Sequence, residues 1–357
     1  MVVRYRSSAR RTEGVRSDFP TNSTRRYENL IFSYNTAFSN FTLNNGFGRA
    51  GWGIINALKQ LGHKVYYDAD IAPVELTFAQ PEYFKPKNRQ YQIILCPWES
   101  TRLHEGWVEA FNSADETWAT SEWVADVYRK AGVENVTTVY PHGIEKMYKP
   151  KYKRRQGPLR YFHQGGPANR KGAQEALDAF REVFKDDPRK ATLTLKCYRR
   201  NDVRWFDSRG VHAPEDLRNV DVVRSEFETD ELVNFTNQFN VGIYPSWGEG
   251  WGFIPMESMA QGTPTICTEA WAQYSPYLGD LKLKSGLVDS PWPFEHPGQM
   301  YKPDMDDLVN KIQLSYDDYE NQSQQFFKRS FKLHDEYNWL GLTEKAFAHI
   351  VSDQRFQ

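Results

Sequence analysis

The chain has 357 residues, enough for about two domains at roughly 100–200 residues each. Hydrophobic residues make up 39% and aromatic residues 15%, ample for packed cores, and a formal net charge of -1 argues against a strongly basic nucleic-acid binder while leaving room for a local basic patch. Three cysteines, Cys96, Cys197 and Cys267, are too few and too scattered for a disulfide framework or a zinc site; each lies in or beside an apolar run, as a buried thiol would.

Residues 1–28 are polar and arginine-rich (Arg4, Arg6, Arg10, Arg11, Arg16, Arg25, Arg26), with no apolar leader core. They are expected to form a flexible basic extension. No run approaches the roughly 18 consecutive apolar residues that span a bilayer, so a cytoplasmic protein is expected.

From Asn29 onward short apolar runs alternate with amphipathic patterns. Leu30 to Tyr34 reads as a strand. Ile54, Ile55, Leu58 and Leu61 recur at helical spacing, and Gly62 stops that helix. Lys64 to Tyr67 and Gln92 to Cys96 read as the second and third strands, the latter continuous enough to be covered on both faces. Glu116 to Ala119 follows, then a helix from Glu122 to Ala131 between a Ser121 cap and Gly132, then Val136 to Val139.

A basic, proline-bearing stretch over 142–158 reads as a linker, and the pattern restarts after it. Leu159 to His163 is strand-like, Gly172 to Lys185 is helical, and Thr192 to Lys196 alternates. Val220 to Val223, Val241 to Tyr244 and Thr263 to Cys267 are further strands, with a short helix from Pro255 to Gln261. Final helices are expected over about Asp304 to Tyr316 and Leu340 to Val351. Strands separated by helices imply parallel sheets with right-handed crossovers. The expected fold is α/β, with one Rossmann-like domain over 29–141 and a second over 159–335. A C-terminal helical segment over 336–357 is expected to pack back on the first domain.

Three segments carry chemistry. Asn44 to Gly53, between the first strand and first helix, holds four glycines, Gly46, Gly48, Gly51 and Gly53. Such a loop lets backbone N–H groups approach a phosphate or sugar at a helix N-terminus, and it reads equally as a tight turn. Gly46, Gly48 and Gly51 also satisfy G-x-G-x-x-G, which would leave Asp68 or Asp70 as the ribose acid of a nicotinamide enzyme. The second segment, His163 to Gly172, places Arg170 and Lys171 just before a helix. Cations there oppose the helix dipole unless an anion is bound, which favours a diphosphate. The third, Tyr244 to Glu257, puts Glu249 and Glu257 eight positions apart across a glycine-rich turn. Carboxylates so placed accept hydrogen bonds from sugar and ribose hydroxyls; the bland alternative is a helix-capping Glu257 and a solvated Glu249.

These residues resemble the retaining glycosyltransferases of family four, which have the GT-B fold of two Rossmann-like domains facing across a cleft. Glu249 and Glu257 stand at that family's E-x7-E pair, with Pro245-Ser246, Glu249-Gly250-Trp251-Gly252 and Gly262-Thr263-Pro264 in its usual wording. Val139 to Ile144 followed by Tyr148-Lys149-Pro150 is similar to its domain junction, Lys171-Gly172 to its phosphate-binding pair, and Asn45 to Gly53 to its N-terminal glycine loop. The resemblance implies that Lys171 binds the diphosphate of a UDP- or GDP-sugar and that Glu257 holds the ribose. It implies that Glu249 engages the transferred sugar, and that the amides of Gly250, Trp251, Gly252 and Phe253 face sugar or phosphate. Asn45, Gly46, Gly48 and Arg49 would form the loop on the acceptor side. It implies no resident cofactor and no metal, with cations taking the metal's place. One departure stands out: the family has an arginine after the glycine matching Gly165, and here that position is Gly166, leaving Arg170 to supply the charge. The family's first-domain histidine is also missing, and Glu99 in Pro97 to Thr101 is the candidate for the acceptor hydroxyl.

The leading expectation is therefore a metal-independent transferase, catalytic through Glu249, Lys171 and Glu99. The acceptor class, whether glycan, small molecule, protein or DNA, stays open. The arginine-rich N-terminus, Lys149 to Arg155 and Arg199-Arg200 motivate a DNA-modifying variant acting on hydroxylated bases. Gly166 motivates a sugar-nucleotide-binding protein without turnover.

Overall fold

In the computed structural model, residues 29–36, 45–165, 169–197, 218–225 and 227–356 are described. The 1–28 extension, Gly166 and the Arg199-Arg200 pair lie outside them. Alternating apolar runs build β1 (Ile31–Asn35), β2 (Lys64–Tyr67), β3 (Val74–Phe78), β4 (Tyr91–Cys96), β5 (Glu116–Ala119) and β6 (Val136–Val139). They pair in parallel as one six-stranded sheet of order β2-β1-β3-β4-β5-β6. After residue 158 the chain forms a second parallel sheet from β7 (Leu159–Gln164), β8 (Ala191–Cys197), β9 (Val220–Arg224), β10 (Val241–Tyr244), β11 (Thr265–Thr268) and β12 (Lys282–Leu283). Its order, β12-β11-β10-β7-β8-β9, is the Rossmann order. The two-sheet α/β architecture expected from the sequence is present.

The first sheet contains a strand that periodicity did not reveal. β3 is buried along its whole length, yet it carries Glu75 and follows Pro73. Glu75 is tolerated at 1% exposure because Lys87 Nζ reaches it at 2.7 Å and Gln92 Nε2 at 2.8 Å. The glycine segment is also corrected. Asn45 is an N-cap whose side chain accepts from the Gly48 amide at 2.7 Å, and α1 (Gly46–Gln60) begins there. Gly48, Gly51 and Gly53 therefore lie inside a helix rather than in a loop. Gly53 leaves room for the Trp339 indole, with which any Cβ would collide.

The helices α2 (Trp107–Asn112) and α3 (Glu122–Ala131) cover the face of the first sheet opposite α1, through Phe111, Val124 and Tyr128 packed with Ile94, Cys96 and Trp98. In the second half α4 (Ala173–Phe184), α5 (Thr229–Thr236), α6 (Phe253–Ala260) and α7 (Met305–Asp317) flank the sheet. A hairpin of β13 (Ser285–Asp289) and β14 (Gln299–Pro303) projects from it. A long helix, α8 (Tyr319–Glu336), was not expected, because its buried stripe includes Gln322, Ser323 and Ser330 and so lacks an apolar period.

The chain ends in α9 (Trp339–Val351), which packs on the first half. Phe347 meets Phe32 at 5.3 Å, Trp118 at 4.7 Å and Tyr140 at 6.0 Å between ring centroids. Phe347→Ala would empty that aromatic nest and is expected to cost about 3–5 kcal/mol in urea unfolding. A loss below about 1 kcal/mol would mean that α9 is dispensable to the first core.

Candidate active site

In open α/β sheets ligands bind outside the carboxyl ends of the strands, where strand order reverses. For the second sheet that point lies between β7 and β10. The chain leaving β7 runs through Gly165 to Arg170 and Lys171, and the chain leaving β10 runs through Ser246 to Glu249. Gly172 holds the two together: its φ of 76° is left-handed, and a Cβ there would strike the Pro245 carbonyl. The Trp247 amide donates to the Arg170 carbonyl at 2.8 Å, tying the two turns by their backbones.

This arrangement brings charges together. Lys171 Nζ lies 2.6 and 2.7 Å from the two oxygens of Glu249. Arg170 Nη1 lies 3.2 Å from Glu249 and donates to the Gly248 carbonyl at 2.6 Å, while Nη2 reaches Glu99 at 2.9 Å. Glu99 follows β4, so that contact crosses from one half to the other. A second crossing pair joins Arg49 of α1 to Glu257 of α6, and Arg49 also donates to the Tyr148 hydroxyl at 3.2 Å.

Burial alone would raise the Glu249 carboxyl, but Lys171 and Arg170 outweigh it and hold it at about 2. For Glu99 burial wins over Arg170 and pushes it up. Burial and the adjacent Arg170 push Lys171 down against the pull of Glu249.

Between the sheets lies a cavity of about 310 Å³. Among the expected site residues, Asn45, Gly46, Arg49, Glu99, Gly165, Arg170, Lys171, Glu249, Gly250, Trp251, Gly252 and Phe253 line it. Two do not. Gly48 is buried in α1, and Glu257 sits behind the wall, 4% exposed and engaged by Arg49. Trp98, Trp107 and Trp247 are buried packing residues, and Trp251 reaches the cavity.

Sequence reasoning missed part of the lining. Phe47, Phe78 and Trp271 form apolar wall, and Lys196 lines the cavity as well. His142, at the start of the stretch read as a linker, lines the cavity too. Five lining side chains keep a buried polar atom without a hydrogen-bond partner: Arg49 Nε, His142 Nδ1, Gln164 Oε1, Arg170 Nε and Trp251 Nε1. Such atoms cost about 1–3 kcal/mol each unless a ligand or water completes them. A polar occupant rich in oxygens fits that demand.

Solved structures show what this fold is like. The chain superimposes on sucrose-phosphate synthase from Thermosynechococcus elongatus with a TM-score of 0.65 at 15% identity, covering 90% of this chain and 98% of that one. For α,α-trehalose 6-phosphate synthase from Burkholderia multivorans the TM-score is 0.62 at 12% identity, covering 90% and 96%. For HepE from Anabaena, in complex with UDP, it is 0.61 at 11% identity, covering 91% and 100%. The fold is GT-B. A search of curated proteins finds none that matches. The family model described as "Family 4 Glycosyltransferase in conflict systems" matches residues 119–343, more than half of the chain. The protein belongs to the family 4 glycosyltransferases. Among the described residues, no helix is long and apolar enough to cross a membrane.

Two measurements follow from the electrostatics. Arg170→Met strands the buried Glu99 carboxylate and leaves Glu249 to Lys171 alone, and is expected to destabilise the protein by about 3–5 kcal/mol, with part of the loss recovered in the Arg170→Met, Glu99→Gln double variant. Strict additivity in that cycle would mean the crossing pair is uncoupled. Acid should also be destabilising. Burial lowers His142 to about 3 and His163 to about 4, so the unfolded chain binds protons near pH 6.5 that the folded one refuses. Stability contributed by these neutral rings is lost as pH falls below about 6.5, at up to about 1.4 kcal/mol per pH unit for each. The depressed Glu249 adds a loss of the same sign below about pH 4.5. A melting temperature unchanged between pH 7 and pH 5 would contradict the buried neutral imidazoles.

Proposed function

We propose that the protein is a retaining glycosyltransferase that moves a sugar from a UDP- or GDP-sugar to an acceptor hydroxyl, with the donor in the cavity between the sheets. The observation that carries this reading is the clustering of Arg170 and Lys171 with Glu249 at the strand-order reversal of the second sheet. The UDP carried by the similar HepE structure supports a nucleotide ligand.

In this reading Lys171 and Arg170 turn from the carboxylates to the donor diphosphate, beside Gly165. Arg170 supplies the charge that Gly166 lacks. The cations and the α6 N-terminus, with the Gly250 to Phe253 amides, offset the leaving group's charge without a metal. Glu249 accepts from hydroxyls of the transferred sugar. Glu257 accepts from the ribose once Arg49 swings from it toward the phosphates. Glu99, released by Arg170, faces the acceptor hydroxyl. The bond from the anomeric carbon to the diphosphate oxygen breaks as the acceptor oxygen bonds on the same face, and the acceptor's proton leaves with the diphosphate. Catalysis then rests on positioning and on stabilising the leaving group.

A thermal-shift and donor-hydrolysis screen against UDP-, GDP- and ADP-sugars, with and without EDTA, tests this. One nucleotide should stabilise the wild type and be released at an EDTA-insensitive rate. Lys171→Ala should weaken that binding by about 10–100-fold, the loss of a charge-assisted contact. Glu249→Gln should fold and bind yet lose at least about 100-fold in sugar release. Stabilisation without release would instead indicate a sugar-nucleotide-binding protein that lacks turnover. Full release by the Glu249 variant at saturating donor would remove that residue from the chemistry.

A further inference from the structure

His142 is 2% exposed and lines the cavity, at the point where the chain passes from the first sheet to the second. Its ring stacks on Phe253 at 5.2 Å with an interplanar angle of 8° and meets Phe78 edge-on at 5.7 Å and Trp251 at 6.0 Å. A phenylalanine would fill the same aromatic nest. The histidine instead buries an Nδ1 that has no hydrogen-bond partner in the protein. An orphaned polar atom in an aromatic wall is a standing cost, and the protein's other groups do not relieve it. Burial keeps the ring neutral, with its pKa held at about 3, so it offers one N–H and one lone pair rather than a charge. That suits a sugar hydroxyl, which both donates and accepts, and suits a phosphate less. Two of its aromatic neighbours, Trp251 and Phe253, closely follow Glu249, the carboxylate assigned above to hydroxyls of the transferred sugar.

We propose that His142 is a specificity-determining residue that hydrogen-bonds a hydroxyl of the donor's sugar ring. The proposal rests on the cavity being the donor site. His142→Phe keeps the stacking and removes both ring nitrogens, and His142→Asn restores a donor and an acceptor. Calorimetric titrations of wild type and both variants would use UDP, UDP-glucose, UDP-N-acetylglucosamine, GDP and GDP-mannose.

The expected result has three parts. Binding of the bare diphosphate is unchanged by His142→Phe. Binding of the matching sugar nucleotide weakens about tenfold, the worth of a buried hydrogen bond. His142→Asn recovers part of the loss. The phenylalanine variant should melt at or above the wild-type temperature, since it deletes an unsatisfied atom. Equal affinities of wild type and His142→Phe for the sugar nucleotide would overturn the proposal and leave the donor site standing. Equal weakening for diphosphate and sugar nucleotide would overturn it in favour of a phosphate or purely structural role. Failure of the wild type to bind any of the five would overturn the donor site, and the proposal with it.

Discussion

Three cations, Arg49, Arg170 and Lys171, face three carboxylates, Glu99 and Glu249 in the lining of one cavity and Glu257 just behind its wall. Taking an ion out of water costs several kcal/mol even after relaxation, so these six are tolerable together and intolerable apart. Two of the pairs span the cleft, which makes the apposition of the halves a condition of charge neutrality. Hydrogen bonds follow the same seam. The Thr120 hydroxyl donates to the Gly250 carbonyl, and Ser100 reaches the Pro297 carbonyl at 2.7 Å. The Thr101 amide donates to the Gln299 carbonyl at 3.0 Å, so the β13–β14 hairpin clasps the loop that carries Glu99. In the proposed reading a diphosphate entering this site must draw cations away from carboxylates, so that the residues proposed to bind it are the ones that join the halves.

Backbone topology decides where that cluster can form. The second sheet reverses order between β7 and β10, and the first between β1 and β3. The turns after β7 and β10 bear the second half's charges, while Phe78 at the end of β3 and Asn45 to Arg49 at the start of α1 reach the cavity from the other side. α9 closes the arrangement by returning to the first core, where Trp339 packs against both Gly53 of α1 and Gly143 of the crossover.

The fold was legible because most strands and helices follow simple periods, and the motifs around Lys171 and Glu249 sit where strands give way to helices. What escaped did so for physical reasons. β3 hides a buried glutamate that only its partners from Lys87 and Gln92 make acceptable, so its pattern reads as polar. α8 packs through Gln322, Ser323 and Ser330, whose burial depends on tertiary neighbours, and Ser323 reaches the Lys153 carbonyl at 2.6 Å. The glycines of α1 looked like a loop because glycine opposes helix formation. Gly53 is kept at the close approach to Trp339. In the site, the E-x7-E spacing found both carboxylates but could not tell that Glu257 faces Arg49 from the opposite half. His142 lies in a junction segment, and nothing in sequence distinguishes a packed ring from one that lines a cavity.

The cavity's two kinds of wall act on each other. Phe47, Phe78, Trp251, Phe253 and Trp271 surround the charged groups with apolar surface, and each charge–charge interaction strengthens as the local dielectric falls. The same surface raises the cost of every unpaired polar atom, which is why Arg49 Nε, Arg170 Nε and Trp251 Nε1 are significant. All three are hydrogen-bond donors. In the proposed reading their acceptors are the oxygens of the leaving group, reached once the arginines have turned from their carboxylates. An aromatic lining that looks wasteful around charged side chains is therefore what strengthens their interactions, and in the proposed reading it strengthens their hold on a diphosphate.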